Sequence, residues 1–248
     1  MSDDRYRLSF DHVAETYERA RPGYAPEALA WLAERIGIGP GRRVLDLAAG
    51  TGKLTRQLLA LGADVAAVEP GHEMRAVLER VVPQAEALAG TAEAIPLPDE
   101  SVDAVTVAQA FHWFRTEPAL AEIHRVLRPG GALGLLWNEW DDNDPIQRAV
   151  DVLLSALRPA RKKEGQPAWA GALDASPQFG LLDERAFRHS FTLDADRLVE
   201  WVASTSAVAA AHAAVQERVE AQVRELAGHG PLELTISTLV FATDRVEV

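Results

Sequence analysis

The stretch Val44-Leu45-Asp46-Leu47-Ala48-Ala49-Gly50-Thr51-Gly52 decides the fold class, because an apolar run passes directly into a turn that contains two glycines. A helical pattern begins at Lys53, immediately after the turn. Glycine lets the backbone come close to a ligand, and the N-terminus of a helix offers unpaired N–H groups. The stretch therefore predicts a strand, a turn of the kind that binds nucleotides, and a helix.

Short apolar runs alternate with helical patterns around this stretch, which is typical of βα units that build a parallel sheet. Five strands are predicted in this region, over 43–48, 64–69, 85–90, 102–109 and 132–137. Three helices lie between them, over 53–61, 72–82 and 117–127. Two closing strands are predicted over 186–193 and 232–242. The sequence thus predicts an α/β, Rossmann-like fold with a mostly parallel seven-stranded sheet and helices on both faces.

We expect one domain, whose parts differ in their pattern. An N-terminal helical cap over 1–40 contains Phe10, Val13, Ala14 and Tyr17 at helical spacing and a helix over 26–36. The cofactor-binding core spans 41–140, a helical insertion follows the fifth strand over 141–185, and closing strands and helices occupy 186–248. Within the insertion, a helix over 145–157 precedes a surface excursion around Trp169, and the last part contains an Ala-rich helical region over 196–226.

The charge balance argues against a nucleic-acid partner. The 248 residues include 25 Lys and Arg against 37 Asp and Glu, a net charge of −12, and Arg161-Lys162-Lys163 is the largest basic cluster. A protein that neutralises phosphates needs a surplus of basic residues on at least one face. We therefore expect a small-molecule substrate, no nucleic acid and no membrane, and either a monomer or a homodimer.

Cysteine is absent, which excludes disulfides, thiolate nucleophiles and cysteine-based metal sites. The first residues are acidic and polar, and no stretch reaches the roughly eighteen apolar residues of a membrane span. A cytoplasmic location is therefore expected. The acidic run Asp141-Asp142-Asn143-Asp144 precedes Pro145, which favours a helix cap at Asp144 over a metal site.

An acid at the end of the second strand narrows the choice of ligand. Glu69 precedes Pro70 and lies nineteen residues after Gly50, the spacing of a carboxylate that binds the two hydroxyls of a ribose. A dinucleotide fingerprint would need glycine at Thr55, and a P-loop would need glycine at Leu47. No tyrosine is followed four residues later by lysine, as short-chain dehydrogenases require. Neither a nicotinamide dinucleotide nor a nucleoside triphosphate fits the turn well.

The chain resembles the class I S-adenosylmethionine-dependent methyltransferases, in particular the small-molecule group called type 11 or ubiquinone-biosynthesis-like. Asp46 to Gly52 is similar to the first motif of that family, although Ala48 stands where the family most often has glycine. Val68-Glu69-Pro70 resembles its ribose acid, and Gly90 to Pro98 its adenine loop. Gln109 to Phe114 resembles the end of its fourth strand.

This resemblance implies a set of cofactor contacts for S-adenosylmethionine and its product S-adenosylhomocysteine. Gly50 and Gly52 would contact the methionine part, Asp46 would hold the turn and the ammonium group, and Glu69 would bind the ribose. The remaining contacts would come from the first motif, the adenine loop, the fourth strand and the N-terminal cap: Ala48, Pro70, Met74, Thr91, Ala92, Glu93, Gln109, Phe111 and Tyr17.

His112 is the candidate catalytic residue, because it follows the fourth strand and an imidazole is suited to removing a proton near neutral pH. If the acceptor is already deprotonated, His112 would only orient it, and a structural histidine remains an alternative. Trp113 and Phe114 would shape an acceptor pocket. Arg21 and Tyr24 are candidate substrate contacts, and no metal is expected.

Two other functions remain open at this stage. One is a protein that binds S-adenosylmethionine without catalysing a reaction. The other is a nicotinamide-dependent oxidoreductase, which the turn favours less.

Overall fold

The computed structural model describes residues 11–157 and 168–247. The expectations for Phe10 and for the basic cluster at 161–163 lie outside these residues. The described strands are β1 (Arg43–Leu47), β2 (Asp64–Val68), β3 (Glu86–Leu88), β4 (Val102–Ala108), β5 (Leu127–Trp140), β6 (Asp183–Leu193) and β7 (Leu232–Asp244). They form one seven-stranded sheet in the order β3-β2-β1-β4-β5-β7-β6.

Strands β1 to β5 are joined by parallel pairings, between β1 and β2, β2 and β3, β1 and β4, and β4 and β5. β1, β2 and β4 are buried along almost their whole length. Strands covered on both faces need continuous apolar runs, and these runs allow the three strands to be identified from the sequence. The carboxyl ends of β1, β2 and β4 lie at the same edge of the sheet.

The last two strands run antiparallel. Ser190 of β6 contacts Thr235 of β7 at 2.7 Å between hydroxyl oxygens, whereas Gly180, just before β6, donates its N–H to the carbonyl oxygen of Asp244 at 2.9 Å. The earlier residue therefore pairs with the later one, as in an antiparallel pair. The α/β, Rossmann-like architecture with seven strands is confirmed, and the sheet is mixed, with one antiparallel hairpin, rather than purely parallel.

The helices among the described residues are α1 (Ala14–Ala20), α2 (Pro26–Ile36), α3 (Lys53–Ala60), α4 (His72–Val81), α5 (Thr116–Val126), α6 (Pro145–Ser155), α7 (Ala168–Asp174), α8 (Ala195–Ala203), α9 (Ser206–Ala209) and α10 (Ala213–Ala227). Short 3-10 turns lie at Asp11–Val13 and Phe111–Trp113. The predicted cap of α6 is confirmed, because the Asp144 carboxylate accepts from the N–H groups of Ile146 and Gln147.

The described residues divide into two compact units. One unit contains the described parts of Gly23–Asn138, Gly165–Phe187 and Thr238–Val248, and its core lines both faces of β1 and β4. The other contains the described parts of Met1–Pro22, Glu139–Glu164 and Arg188–Ser237, with a core in which Trp201 and the apolar faces of α8 and α10 are buried. We call them the core unit and the second unit.

Two expectations are corrected by the structure. β5 begins at Leu127, directly after α5, rather than at Ala132. Trp169 lies in α7 and is only 8% exposed, rather than on a surface excursion, because aromatic rings from distant parts of the core unit cover it.

None of the helices in the described ranges combines the length and the apolar character needed to cross a membrane.

Candidate active site

The turn after β1 is built from residues in the left-handed region of the backbone. Ala48 has φ 58°, Gly50 φ 59° and Gly52 φ 84°. A Cβ atom added at Gly50 would meet no atom of the described residues within 4 Å, whereas one at Gly52 would lie 2.3 Å from Cδ1 of Leu78 and 2.9 Å from a Cγ of Val82. Gly50 therefore leaves an open face, while Gly52 is required by the packing of α4 against the turn.

Glu69 lies at this turn, as the nineteen-residue spacing predicted. Its side chain is buried, at 7% exposed. Oε2 accepts the N–H of Gly50 at 2.8 Å, and Oε1 accepts the N–H of Gly71 at 2.7 Å, on the far side of Pro70. The guanidinium of Arg75 donates to the carbonyl oxygen of Glu69 at 2.9 Å. The end of β2 is thereby fixed to the glycine turn.

Asp46 lies beneath the turn, on β1, and is 1% exposed. The hydroxyl of Thr55 donates to Oδ2 at 2.6 Å. Within the described ranges, Oδ1 is buried and has no hydrogen-bond partner. Burial raises the pKa of Asp46 to about 7, against the lowering effect of the Thr55 hydroxyl, and the nearby Glu69 charge raises it further. An unpartnered buried carboxylate oxygen of this kind is suited to a cationic ligand group.

The predicted adenine loop follows β3. Ala92 is buried, and the partly buried Glu93 accepts the backbone N–H of Arg115 through Oε1 at 2.9 Å. Thr91 forms a short bridge within the loop, and Met74 is buried on α4. The structure thus places these residues in the core unit after parallel strands whose ends share one edge, and their contacts with an adenine ring stay a prediction.

The end of β4 is strained. Gln109 has φ 60°, a left-handed conformation that a glutamine rarely adopts. Its backbone N–H donates to the carbonyl oxygen of Leu136 at 2.8 Å, and its side-chain amide donates to that of Asn138 at 3.2 Å. Strain of this kind is common at ligand sites, and here both contacts hold it against β5.

Phe111 anchors the short turn that carries the candidate histidine. It is fully buried, and its ring lies 5.4 Å from that of Phe114 and 5.8 Å from that of Trp169, measured between centroids. Its side chain is therefore part of the apolar core. Phe114 is only partly buried and packs against the same core.

His112 is partly exposed on this turn. Its Nδ1 accepts a hydrogen bond from the indole Nε1 of Trp137 at 3.4 Å, and its ring centroid lies 4.7 Å from that of Trp113. The structure thereby brings His112 and Trp113 together, and it adds Trp137, on β5. The sequence carried no signal for Trp137, because its partner lies on another element.

The three N-terminal candidates lie in different surroundings. Tyr24 is buried in the core unit, and its backbone is held on both sides by the side chain of Gln57. Tyr17 and Arg21 belong to the second unit, where the Arg21 guanidinium lies 5.0 Å from the centroid of the Tyr17 ring and donates to Ser204 Oγ at 2.9 Å. Their roles toward the cofactor or substrate stay predictions.

Other residues of the site were not identified from the sequence. Thr55 was noted only as the place of a missing glycine, yet its hydroxyl holds Asp46. Arg75, near the start of α4, donates to the carbonyl oxygen of Glu69, and the sequence carries no signal for this contact.

Comparisons with known proteins agree with this geometry. Residues 45–135 match the family described as Methyltransferase domain. A protein of Mycobacterium tuberculosis named as an uncharacterized methyltransferase is 42% identical over 224 residues, which cover 90% of this chain and 87% of the relative. The demethylmenaquinone methyltransferase of Renibacterium salmoninarum is 31% identical over 207 residues, 81% of this chain and 82% of the relative.

A solved structure from Anaeromyxobacter dehalogenans shares the fold, with a TM-score of 0.66 and 24% identity, and the match covers 91% of this chain and 97% of that one. This likeness supports the fold alone. The family rests on the relatives, whose identity and coverage extend over most of the chain. The chain therefore belongs to the methyltransferase family, has the class I S-adenosylmethionine-dependent methyltransferase fold, and is an enzyme that transfers methyl groups.

Proposed function

We propose that this enzyme takes its methyl group from S-adenosylmethionine and transfers it to a small molecule. The observation that carries the proposal is the Glu69 carboxylate, which lies 2.8 Å from the backbone nitrogen of Gly50, at a turn whose face beside Gly50 is left open by the described residues. A carboxylate beside an open glycine turn, at the carboxyl ends of parallel strands, is suited to a ribose and the groups attached to it.

The residues present fit the cofactor. Glu69 would accept hydrogen bonds from the ribose hydroxyls, and the unpartnered Oδ1 of Asp46 would accept one from the ammonium group, directly or through water. Gly50 would allow close approach of the backbone, since a side chain there would fill the open face. S-adenosylmethionine supplies, when bound, a methyl group on a positively charged sulfur, so the residues around it need only hold an acceptor atom about 3–3.5 Å away in line.

Two observations support a small molecule as the acceptor. The net charge of −12 does not favour a phosphate backbone. The demethylmenaquinone methyltransferase of Renibacterium salmoninarum, which is similar along 81% of this chain, is named for a small-molecule substrate.

Calorimetric titration with S-adenosylhomocysteine tests the proposal. We expect a dissociation constant well below about 1 mM, which corresponds to roughly 4 kcal/mol. Glu69→Ala should weaken binding by about 1.5–3 kcal/mol, because charge-assisted hydrogen bonds are lost. Glu73→Ala, which removes an exposed acid at the start of α4, is the matched control and should bind as the wild type does.

Either of two results contradicts the proposal. Absence of binding at 1 mM ligand would exclude S-adenosylmethionine as the cofactor. An unchanged affinity of Glu69→Ala would show that Glu69 does not contact the ligand.

A further inference from the structure

We infer that Asn138, on β5, is a positioning residue of the cofactor site, which keeps Gln109 in its left-handed conformation beside the glycine turn. The inference rests on the proposed function and deepens it, because it explains how the end of β4 is held in place for the cofactor. Asn138 acts through Gln109, and its role requires no contact of its own with a ligand.

The register of the sheet brings Gln109 to the level of the glycine turn. Asp46 of β1 pairs in parallel with Thr106 of β4. Ala49 and Gln109 lie three residues further along these strands, and parallel strands advance equally per residue. β2 lies on one side of β1 and β4 on the other, so the strand order reverses here. Folds of this class bind ligands at such a point.

Gln109 depends on β5 for its conformation. Its φ is 60°, and its backbone N–H donates to the carbonyl oxygen of Leu136 at 2.8 Å. Its side-chain Nε2 donates to the carbonyl oxygen of Asn138 at 3.2 Å. The second contact forms only while the backbone of Asn138 stays in place.

The backbone of Asn138 is fixed by its own side chain. Nδ2 donates to the carbonyl oxygen of Gly23 at 2.9 Å, and Oδ1 accepts the hydroxyl of Thr238 at 2.6 Å. The Thr238 oxygen in turn accepts the N–H of Ala25 at 3.2 Å. A carbonyl only accepts and a backbone N–H only donates, so this network has one arrangement of hydrogens. Both ends of the Asn138 amide are therefore held.

The segment Gly23-Tyr24-Ala25 is itself a rigid support. The side chain of Gln57, on the helix α3 that begins at the glycine turn, accepts the N–H of Tyr24 at 3.1 Å and donates to its carbonyl oxygen at 3.0 Å. The two peptide groups that flank Tyr24 are thus bound at both of their polar ends, by side chains from α3, β5 and β7. Through this segment, Asn138 connects Gln109 to the helix of the glycine turn.

Loss of the Asn138 side chain should therefore release Gln109. The carbonyl oxygen of residue 138 is still present in such a variant, but its position is no longer fixed. A glutamine that is released from a left-handed conformation relaxes toward negative φ. Only the fraction of molecules that keeps the original conformation then binds the cofactor with full affinity.

A double-mutant cycle measured by calorimetric titration with S-adenosylhomocysteine tests the inference. Asn138→Ala should weaken binding by about tenfold, because the competent conformation becomes a minor one. Glycine adopts a left-handed φ without strain and has no side chain to be held. In Gln109→Gly, the further change Asn138→Ala should therefore cause no additional loss of affinity, although urea unfolding should still show a loss of stability. A merely structural role of Asn138 would not make its effect on affinity depend on Gln109.

Two substitutions on β7 complete the experiment. Thr238→Val removes the hydroxyl that Asn138 accepts, with little change in shape, and should weaken binding in the same direction. It also provides the test if Asn138→Ala fails to fold. Thr243→Val is the matched control, because it removes an equally buried hydroxyl that donates to the carbonyl oxygen of Gly180 at 2.8 Å. This control should bind as the wild type does.

Wild-type affinity in folded Asn138→Ala, or in Thr238→Val if only that variant folds, overturns the inference. An equal loss of affinity from Asn138→Ala with and without Gln109 overturns it as well, because Asn138 would then not act through Gln109. These outcomes are distinct from a wild-type chain that does not bind S-adenosylhomocysteine, which contradicts the proposed function and this inference together.

Discussion

The ionisation of Asp46 links the site to the stability of the chain. Burial raises the pKa of Asp46 to about 7, from an ordinary value of 3.8. A raised pKa in the folded state means that the folded chain binds this proton more tightly than the unfolded chain does. The stabilisation is therefore fully present below about pH 4 and is lost as the pH rises through about 7.

Asp46→Asn removes this dependence while keeping an oxygen for the Thr55 hydroxyl. We expect the stability of the variant relative to the wild type to grow between pH 5 and pH 8, by about 3 kcal/mol at most. Urea unfolding at a series of pH values measures the difference. The control Asp64→Asn, at an exposed acid of β2, should show the same dependence of stability on pH as the wild type. If Asp46→Asn also showed the wild-type dependence, the carboxyl of Asp46 would be ionised throughout this range and the prediction would be wrong.

At the scale of elements, substitutions of the two glycines of the turn should have different effects, one mainly on stability and the other mainly on ligand binding. Gly52→Ala places a Cβ 2.3 Å from Leu78 in a left-handed conformation, so it should reduce the free energy of unfolding by about 2–5 kcal/mol through overpacking and backbone strain. Gly50→Ala meets no neighbour among residues 11–157 and 168–247 and should cost only about 1–2 kcal/mol from its backbone conformation.

Gly50→Ala should weaken the binding of S-adenosylhomocysteine more than Gly52→Ala does, because the open face of the turn lies at Gly50. Urea unfolding and calorimetric titration of both variants, with the wild type as reference, measure the two effects. Equal loss of affinity in two folded variants would contradict the separate roles of the glycines.

The elements that the sequence predicted well are those with local signals. Helix α2 has the predicted bounds, since Pro26 begins it and Gly37, with φ 69°, ends it. The start of β5 was missed because Arg128-Pro129-Gly130-Gly131 is typical of a helix stop. In the sheet, a Cβ at Gly131 would lie 2.9 Å from the carbonyl oxygen of Asp103, so the glycine there permits close pairing with β4.

The candidate site likewise contains contacts that local sequence patterns predict and contacts that they do not. Glu69 and Gly50 are brought together by one βαβ unit, and their spacing along the chain encodes this. The contact between Trp137 and His112, and the burial of Trp169, depend on packing between elements that are distant in sequence. No local pattern records such packing.

At the scale of the whole molecule, binding of the product should stabilise the native state by mass action. A hundredfold excess of S-adenosylhomocysteine over its dissociation constant adds about 2.7 kcal/mol. For a chain of this length, that raises the midpoint of thermal unfolding by about 5–10 °C. A thermal-shift measurement with NAD at the same concentration is the control and should show no change; a larger shift with NAD would favour the oxidoreductase alternative.

The stacked rings of Trp137 and Trp169 give the protein an optical signature of its own. Two indoles in such close contact couple their electronic transitions, and where the transition moments are skewed to one another the coupling produces a paired positive and negative band in circular dichroism. The contribution of Trp137 and Trp169 to this signal requires β5 and α7 to be packed together, so it reports the assembly of the aromatic core. Loss of the signal in Trp169→Phe would identify the pair, and its decay during unfolding would show when that core separates.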